Sequence, residues 1–173
     1  LNGDFSDVED LTDENVWQFK TANEGEGNTV ISVGDETTPA IDDKSAIVTT
    51  SNDGTVDYSI QLLQNDVPLI AGQTYELSFD AYASAARSMK VNSKAPNRSW
   101  YAYLDETVGL TTEKKTYTYE FDMIHADDAN CTVDFNMGNF DTYVNYDCKQ
   151  HIMFKYNTLP RYVLPTAFIN FNS

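Results

Sequence analysis

The chain of 173 residues fits one domain of ordinary size, and its 41% of hydrophobic residues is enough for a buried core. A formal net charge of −16 argues against binding to nucleic acid or to an anionic membrane, because both require a basic face, so neither partner is expected. No apolar run approaches the roughly 20 residues that span a bilayer.

Short strands with a two-residue alternation follow one another along the chain, almost without helical periodicity. Trp17 begins the first of them and is expected in the core. The later strands have apolar residues at alternate positions, which predicts these inward-facing sets in chain order: Tyr58, Ile60 and Leu62; Tyr75, Leu77, Phe79 and Ala81; Met89 and Val91; Tyr117, Tyr119, Phe121 and Met123; Val133, Phe135 and Met137. Turn signals at Gly54, Gly72 and Gly138 separate the strands. The pattern predicts an all-β, antiparallel β-sandwich.

The segment from Cys131 to Cys148 is expected to form a hairpin that turns at residues 138–141. In the register centred there, Phe135 lies opposite Val144 and the two cysteines face each other. Opposed cysteines can form a disulfide where the two strands approach most closely, and two buried free thiols are the alternative.

The last stretch, Lys149 to Ser173, contains no acidic residue, although the rest of the chain contains 27. We therefore expect a sandwich domain over residues 1–148 and an atypical extension over residues 149–173. The extension could cover the sandwich, pair with one of its strands or have no function.

Several motifs resemble family 4 carbohydrate-binding modules and the related families 9 and 22. Their order and spacing carry the resemblance over residues 2–147 more than any single motif does. The matching segments are Asn2-Gly3-Asp4-Phe5 followed by Trp17, then residues 58–64, residues 72–81, residues 87–91, residues 100–105 and residues 135–138.

The resemblance implies a jelly-roll sandwich whose concave face binds one polysaccharide chain, and a non-catalytic role beside an attached glycoside hydrolase. Ligands across the family include β-1,3-glucan, mixed-linkage glucan, xylan and amorphous cellulose, and we favour a β-glucan, then xylan. A structural calcium ion is also common in the family. The candidate oxygens here are those of Asp4, the carbonyl region of Lys44, and Asp147.

A sugar ring needs aromatic planes for its C–H faces and polar side chains for its hydroxyl rim. Trp100, Tyr101 and Tyr103 form the densest aromatic cluster, and Trp100 and Tyr101 cannot both point inward in a regular strand. By resemblance, Trp100 occupies the position of a sugar-stacking aromatic residue. The polar candidates for the same site are Gln61, Asn65, Arg87, Lys90 and Asn136. For Lys94 and Arg98 we favour an ordinary solvated loop.

An acidic, soluble chain that opens at Leu1 without a signal peptide is typical of a mature fragment of a larger secreted protein, and we expect a monomer. A glycoside hydrolase is a distant alternative, because it needs only two carboxylates about 5–9.5 Å apart. However, His125 and His151 lack a metal-ligand spacing, and no catalytic motif is present. A third alternative is an adhesive sandwich, which predicts an exposed apolar patch without nearby amides.

Overall fold

The structure is a computed structural model that describes residues 17–33, 44–139 and 148–153. These residues form two five-stranded sheets in which every neighbouring pair of strands is antiparallel, so the predicted all-β sandwich is confirmed. The strands are β1 Trp17–Thr21, β2 Gly25–Val33, β3 Lys44–Asp53, β4 Ile60–Leu69, β5 Thr74–Ala83, β6 Arg87–Ala95, β7 Tyr101–Leu110, β8 Lys115–Asp122, β9 Asp128–Asn136 and β10 Cys148–Met153.

We call the sheet with the order β1-β4-β9-β6-β7 the front sheet and the sheet with the order β2-β3-β10-β5-β8 the back sheet. The helices in the described ranges are two 3₁₀ turns of three residues, Asp57–Ser59 and Pro96–Arg98. Within those ranges, no helix is long and apolar enough to cross a membrane.

The core lies between the two sheets and is centred on aromatic rings. Phe135 of the front sheet meets Phe79 of the back sheet edge to face, with ring centroids 5.1 Å apart. Trp17 is fully buried at 6.3 Å from Phe135, and Tyr117 stacks on Phe79 at 5.4 Å. The predicted core position of Trp17 is therefore confirmed.

The alternation predicted most of the inward faces correctly. Tyr75, Leu77, Phe79 and Ala81 are at most 6% exposed, as alternate residues of a central strand should be. The corresponding residues of β8 are only partly buried because β8 is the outermost strand of the back sheet.

Tyr58 is an exception to the predicted alternation. Ile60 and Leu62 are fully buried, but Tyr58 is 46% exposed. It lies in the 3₁₀ turn before β4, where three residues per turn replace the two-residue period of a strand. The prediction that Tyr58 faces inward was wrong for this reason.

The predicted hairpin between Cys131 and Cys148 was also wrong. β9 pairs with β4 and β6 in the front sheet, and Cys131 lies opposite Val67. Cys148 opens β10 in the back sheet, opposite Thr50. Alternation determines which face a residue occupies but not which strand it pairs with, so the pattern could not distinguish the two arrangements. Cys131 is a buried free thiol, and burial raises its pKa to about 12.

The boundary expected after residue 148 falls inside a sheet. β10 lies between β3 and β5, with Gln150 opposite both Val48 and Ala83. The sandwich therefore extends at least to Met153, which agrees with the alternative in which the extension pairs with a strand. Residues 154–173 lie outside the described ranges.

Replacing Trp17 by alanine tests this description of the core. We expect Trp17→Ala to lower the free energy of unfolding by about 3–5 kcal/mol, because it leaves a large cavity beside Phe135. The matched control is Trp100→Ala, which removes a side chain that is 62% exposed and should change stability by at most about 0.5 kcal/mol. Guanidinium unfolding followed by circular dichroism measures both, and equal losses would contradict the assignment.

Candidate functional site

The outer face of the front sheet carries polar side chains in three successive rows, as the strand register shows. In the first row Gln61 of β4 lies opposite Asn136 of β9, which lies opposite Lys90 of β6. The second row joins Leu63, Asp134, Asn92 and Asp105, and the third joins Thr132, Lys94 and Ala102. Because Phe135 points into the core, its neighbours on β9 must point to this outer face.

A cavity of about 460 Å³ opens on this face, and we call it the groove. It is lined by Tyr58, Gln61, Asp134, Lys94 and Trp100. Among these only Gln61 and Trp100 were named as site residues from the sequence.

The groove crosses the front sheet diagonally. Gln61 lies on β4 in the first row, Asp134 on β9 in the second and Lys94 on β6 in the third. Each step from one of these residues to the next crosses to the neighbouring strand and moves two residues along it, a distance of about 8 Å. Gln61 and Lys94 therefore lie about 16 Å apart. Tyr58 precedes β4 at one end of this line, and Trp100 precedes β7 at the other.

Exposed aromatic rings therefore stand at both ends of the groove. Trp100 is 62% exposed and Tyr58 is 46% exposed. Ser99 and Trp100 both have left-handed backbone conformations, with φ of 55° and 59°, and the Trp100 amide donates to the Ala95 carbonyl at 3.0 Å. This turn sets Trp100 outside the alternation of β7, so Trp100 and the following Tyr101 are both exposed. The prediction that at least one of the two is exposed is confirmed.

A chain of side-chain hydrogen bonds, which we call the amide ladder, runs along the floor of this face. Gln61 Nε2 donates to Asn136 Oδ1 at 2.7 Å, and Asn136 Nδ2 donates to Asn92 Oδ1 at 2.6 Å. Asn92 Nδ2 donates to Asp105 Oδ1 at 2.6 Å, and Lys90 Nζ donates to the same oxygen at 3.1 Å. Asn92 and Asn136 are fully buried, so they hold Gln61 in place from below.

Asp105 anchors the ladder as an ionised carboxylate. Burial by itself would raise the pKa of Asp105, but the hydrogen bonds from Lys90 and Asn92 outweigh it and hold that pKa below its ordinary value. The hydrogen bond to Asp105 likewise raises the pKa of Lys90, which also lies 3.7 Å from Asp57. Lys90 is therefore committed to carboxylates and does not line the groove.

Arg87 does not reach the groove. It shares the inward side of β6 with Met89, is 5% exposed, and donates from its guanidinium to the Met137 carbonyl. It also lies 4.0 Å from Asp53. The expectation that Arg87 faces a ligand on the outer face was wrong, because the two-residue period puts it on the core side.

Tyr101 and Tyr103 lie in a separate cluster with His125, where Tyr101 is 5.5 Å from Tyr103 and 4.7 Å from His125. The β6–β7 pairing has a register shift between Ser93 and Lys94. Beyond it, Tyr101 lies opposite the buried Ala95 rather than on the groove side. The Tyr103 hydroxyl donates to Asp128 at 3.1 Å, and burial and this bond raise its pKa.

Asn65 is half-exposed two residues beyond Leu63, next to a bulge in β4, and does not line the groove.

Sequence reasoning missed Tyr58 and Asp134, and it assigned Lys94 to a solvated loop. The outward parity of Asp134 was visible in the alternation of β9. Nothing in the sequence indicated that Asp134 lies beside Lys94, because the β6–β9 pairing joins residues about 40 positions apart.

Calcium binding stays a prediction, because two of the three expected ligands, Asp4 and Asp147, lie outside the described residues. The third, Lys44, is the first residue of β3. Within the described ranges, no group of three or more His, Cys, Asp or Glu could hold a metal ion.

Many solved structures share this fold, among them the following three. One described as "CBM4 structure and function" has a TM-score of 0.67 and 23% identity, over 90% of this chain and 99% of that one. The N-terminal cellulose-binding domain of Cellulomonas fimi β-1,4-glucanase C has a TM-score of 0.55 and 18% identity, over 80% of this chain and 84% of that one. The CBM22-1 xylan-binding domain of Paenibacillus barcinonensis Xyn10C has a TM-score of 0.52 and 8% identity, over 80% and 82%.

No curated protein matches the chain. The model of the family CBM_4_9, described as a carbohydrate binding domain, matches residues 1–145, which is well over half of the sequence. The chain therefore belongs to this family and is a non-catalytic carbohydrate-binding module.

Proposed function

We propose that this module binds a single neutral polysaccharide chain in the groove, with a β-glucan favoured and xylan next. The diagonal arrangement of the groove carries the proposal, because exposed rings of Tyr58 and Trp100 stand on either side of polar side chains. A sugar chain needs apolar planes for its ring faces together with donors and acceptors for its hydroxyls. The span of about 16 Å from Gln61 to Lys94 exceeds one hexose ring, which suits an extended chain.

The charge of the protein supports a neutral ligand. A net charge of −16 repels anionic polymers at long range and has little effect on an uncharged glucan or xylan. The fold is shared with a cellulose-binding domain of a glucanase and with a xylan-binding domain. By analogy we propose a secreted, monomeric module that brings an attached glycoside hydrolase to its substrate.

A protein-binding sandwich is the second candidate, and two exposed apolar residues favour it. Ile124 is 81% exposed and Ile70 is 43% exposed, on neighbouring turns joined by the hydrogen bond from the Gly72 amide to the Met123 carbonyl at 2.7 Å. Neither isoleucine lines the groove, so the two candidates predict different ligands for different parts of the molecule.

Native affinity electrophoresis distinguishes the two candidates. The panel contains soluble β-1,3-glucan, mixed-linkage glucan, xylan, xyloglucan and hydroxyethylcellulose, with reducing-sugar release assayed in parallel. We expect retardation by one or two of them without sugar release, with Kd of about 10–100 μM, which corresponds to about −5.5 to −7 kcal/mol. Retardation by none of them would favour the protein-binding sandwich.

Two aromatic variants then locate the site. Trp100→Ala should abolish detectable retardation, because it removes the proposed stacking ring, and should leave the melting temperature nearly unchanged, because that ring is exposed. Tyr101→Ala removes a ring that is 49% exposed and one residue away, but lies in the cluster with His125. It should leave Kd within about twofold, and loss of binding only in Tyr101→Ala would move the site to that cluster.

The amide ladder gives a further prediction. Asn136→Ala leaves Gln61 without its acceptor and Asn92 without its buried donor, so it should cost about 1–3 kcal/mol of stability and weaken binding through a mobile Gln61. The control is Asn65→Ala, a half-exposed amide on the same strand as Gln61 with no side-chain hydrogen bond among the described residues. Urea unfolding should show little change for the control, and equal effects of the two variants would exclude the ladder as the support of Gln61.

A further inference from the structure

Asp134 is a buried acid in the middle of the groove, and one of its carboxylate oxygens has no partner among the described residues. It is 3% exposed, and its Oδ1 atom is buried without a hydrogen-bond partner in the described part of the chain. Most buried polar atoms in folded proteins are paired, so an unpaired carboxylate oxygen inside a cleft requires an explanation.

The neighbouring strands do not supply a partner. On β4 the opposite residue is Leu63, which has no donor. On β6 the opposite residue is Asn92, which donates to Asp105. The amide ladder passes from Asn136 directly to Asn92 and so leaves Asp134 out.

The charged groups that face Asp134 come from three strands. Lys94 of β6 and Lys20 of β1 are the nearby cations, and Asp105 of β7 is the anion beyond Asn92. The salt bridges among the described residues involve other acids, so neither lysine forms an ion pair with Asp134 there. Burial therefore dominates and raises the pKa of Asp134 above its ordinary value, although the nearby Thr132 hydroxyl and, less strongly, both lysines lower it.

An ionised carboxylate in this position destabilises the free protein. A carboxylate that lowers stability and lies in a binding cleft is suited to accept a hydrogen bond from a ligand that enters the cleft. An alternative explanation is an ordered water molecule that satisfies Asp134 permanently. The two explanations differ in what happens when the carboxylate is replaced by an amide.

We propose that Asp134 is the specificity-determining acceptor of the groove and takes a hydrogen bond from a hydroxyl group of a neutral sugar bound between Gln61 and Trp100. This inference rests on the proposed function. An ionised carboxylate can only accept hydrogen bonds, so the ligand must be the donor. Rotation about the χ2 torsion of Asp134 can turn either carboxylate oxygen towards it. A hydroxyl can donate to Asp134 and accept from Lys94 at once. A sugar that carries its own carboxylate would set two like charges together at this point.

The test compares Asp134→Asn with wild type, using the polysaccharide that retards wild type most. The amide keeps the size of the side chain but removes the charged acceptor, so Kd at pH 7 should rise at least about tenfold. The melting temperature without ligand should rise by about 2–4 °C, because a buried unpaired charge is removed. Glu113→Gln, in the exposed turn between β7 and β8, removes the same charge far from the groove and should change neither quantity.

The pH dependence provides a second readout. Since the pKa of Asp134 is raised in the folded state, its ionised form costs stability at neutral pH, and that cost disappears as the pH falls through the raised pKa. The gain in melting temperature of Asp134→Asn should therefore shrink in acid. Wild-type affinity should fall over the same range, whereas the affinity of the variant should stay level.

Each outcome decides one question. If wild type binds glycan and Asp134→Asn binds equally well, the inference is wrong and the proposed function stands. If the melting temperature does not rise, the carboxylate has a permanent partner such as water, and the inference is again wrong. If wild type binds none of the polysaccharides, the proposed function fails and the role of Asp134 in recognising sugar fails with it.

Discussion

The packing of Phe135 between Trp17 and Phe79 governs the rest of the molecule. It joins the two sheets, and it also sets the phase of β9, because neighbouring residues of a strand point to opposite faces. With Phe135 in the core, Asp134 and Asn136 must reach the outer face. A slip of one residue would turn the ring to the outer face and place Asp134 in the apolar core between the sheets, which the fold cannot tolerate. Removing a buried Phe costs about 3–5 kcal/mol, whereas one unsatisfied polar group costs about 1–3 kcal/mol, so the core contact holds Asp134 where it lies.

The same outer face combines two kinds of polar group with different consequences. The amide ladder is satisfied from Gln61 to Asp105, and a complete network in a low-dielectric setting is rigid. It fixes Gln61 at the edge of the groove before any ligand arrives, which reduces the entropy lost on binding. Asp134 shares the second row with Asn92 and Asp105 but remains outside the network. The front sheet thus combines a stiff hydrogen-bond network with an unsatisfied acid beside it.

Much of the fold could be predicted from alternation alone, because the burial of Leu77, Phe79 and Phe135 follows directly from a two-residue period. The pairing of β9 could not be predicted, since the inward face of a strand is compatible with any partner whose own inward face matches. Tyr58 was misplaced because a 3₁₀ turn interrupts the period. In the site, the exposure of Trp100 followed from its neighbourhood in the sequence. Asp134 and Lys94 lie close together because β6 pairs with β9, and this long-range pairing cannot be predicted from one sequence.

The position of β10 has a consequence for how the domain assembles. Among the described elements, β10 is the only strand that joins the β2–β3 pair to the β5–β8 pair in the back sheet. A truncation at residue 145, where the family match ends, would leave two separate two-stranded ribbons, and such ribbons are marginally stable in water. All five strands of the front sheet leave the ribosome before β10 does. The face that carries the groove can therefore be synthesised in full while its own core is still open, and closure of the sandwich must wait for the carboxyl-terminal part of the chain.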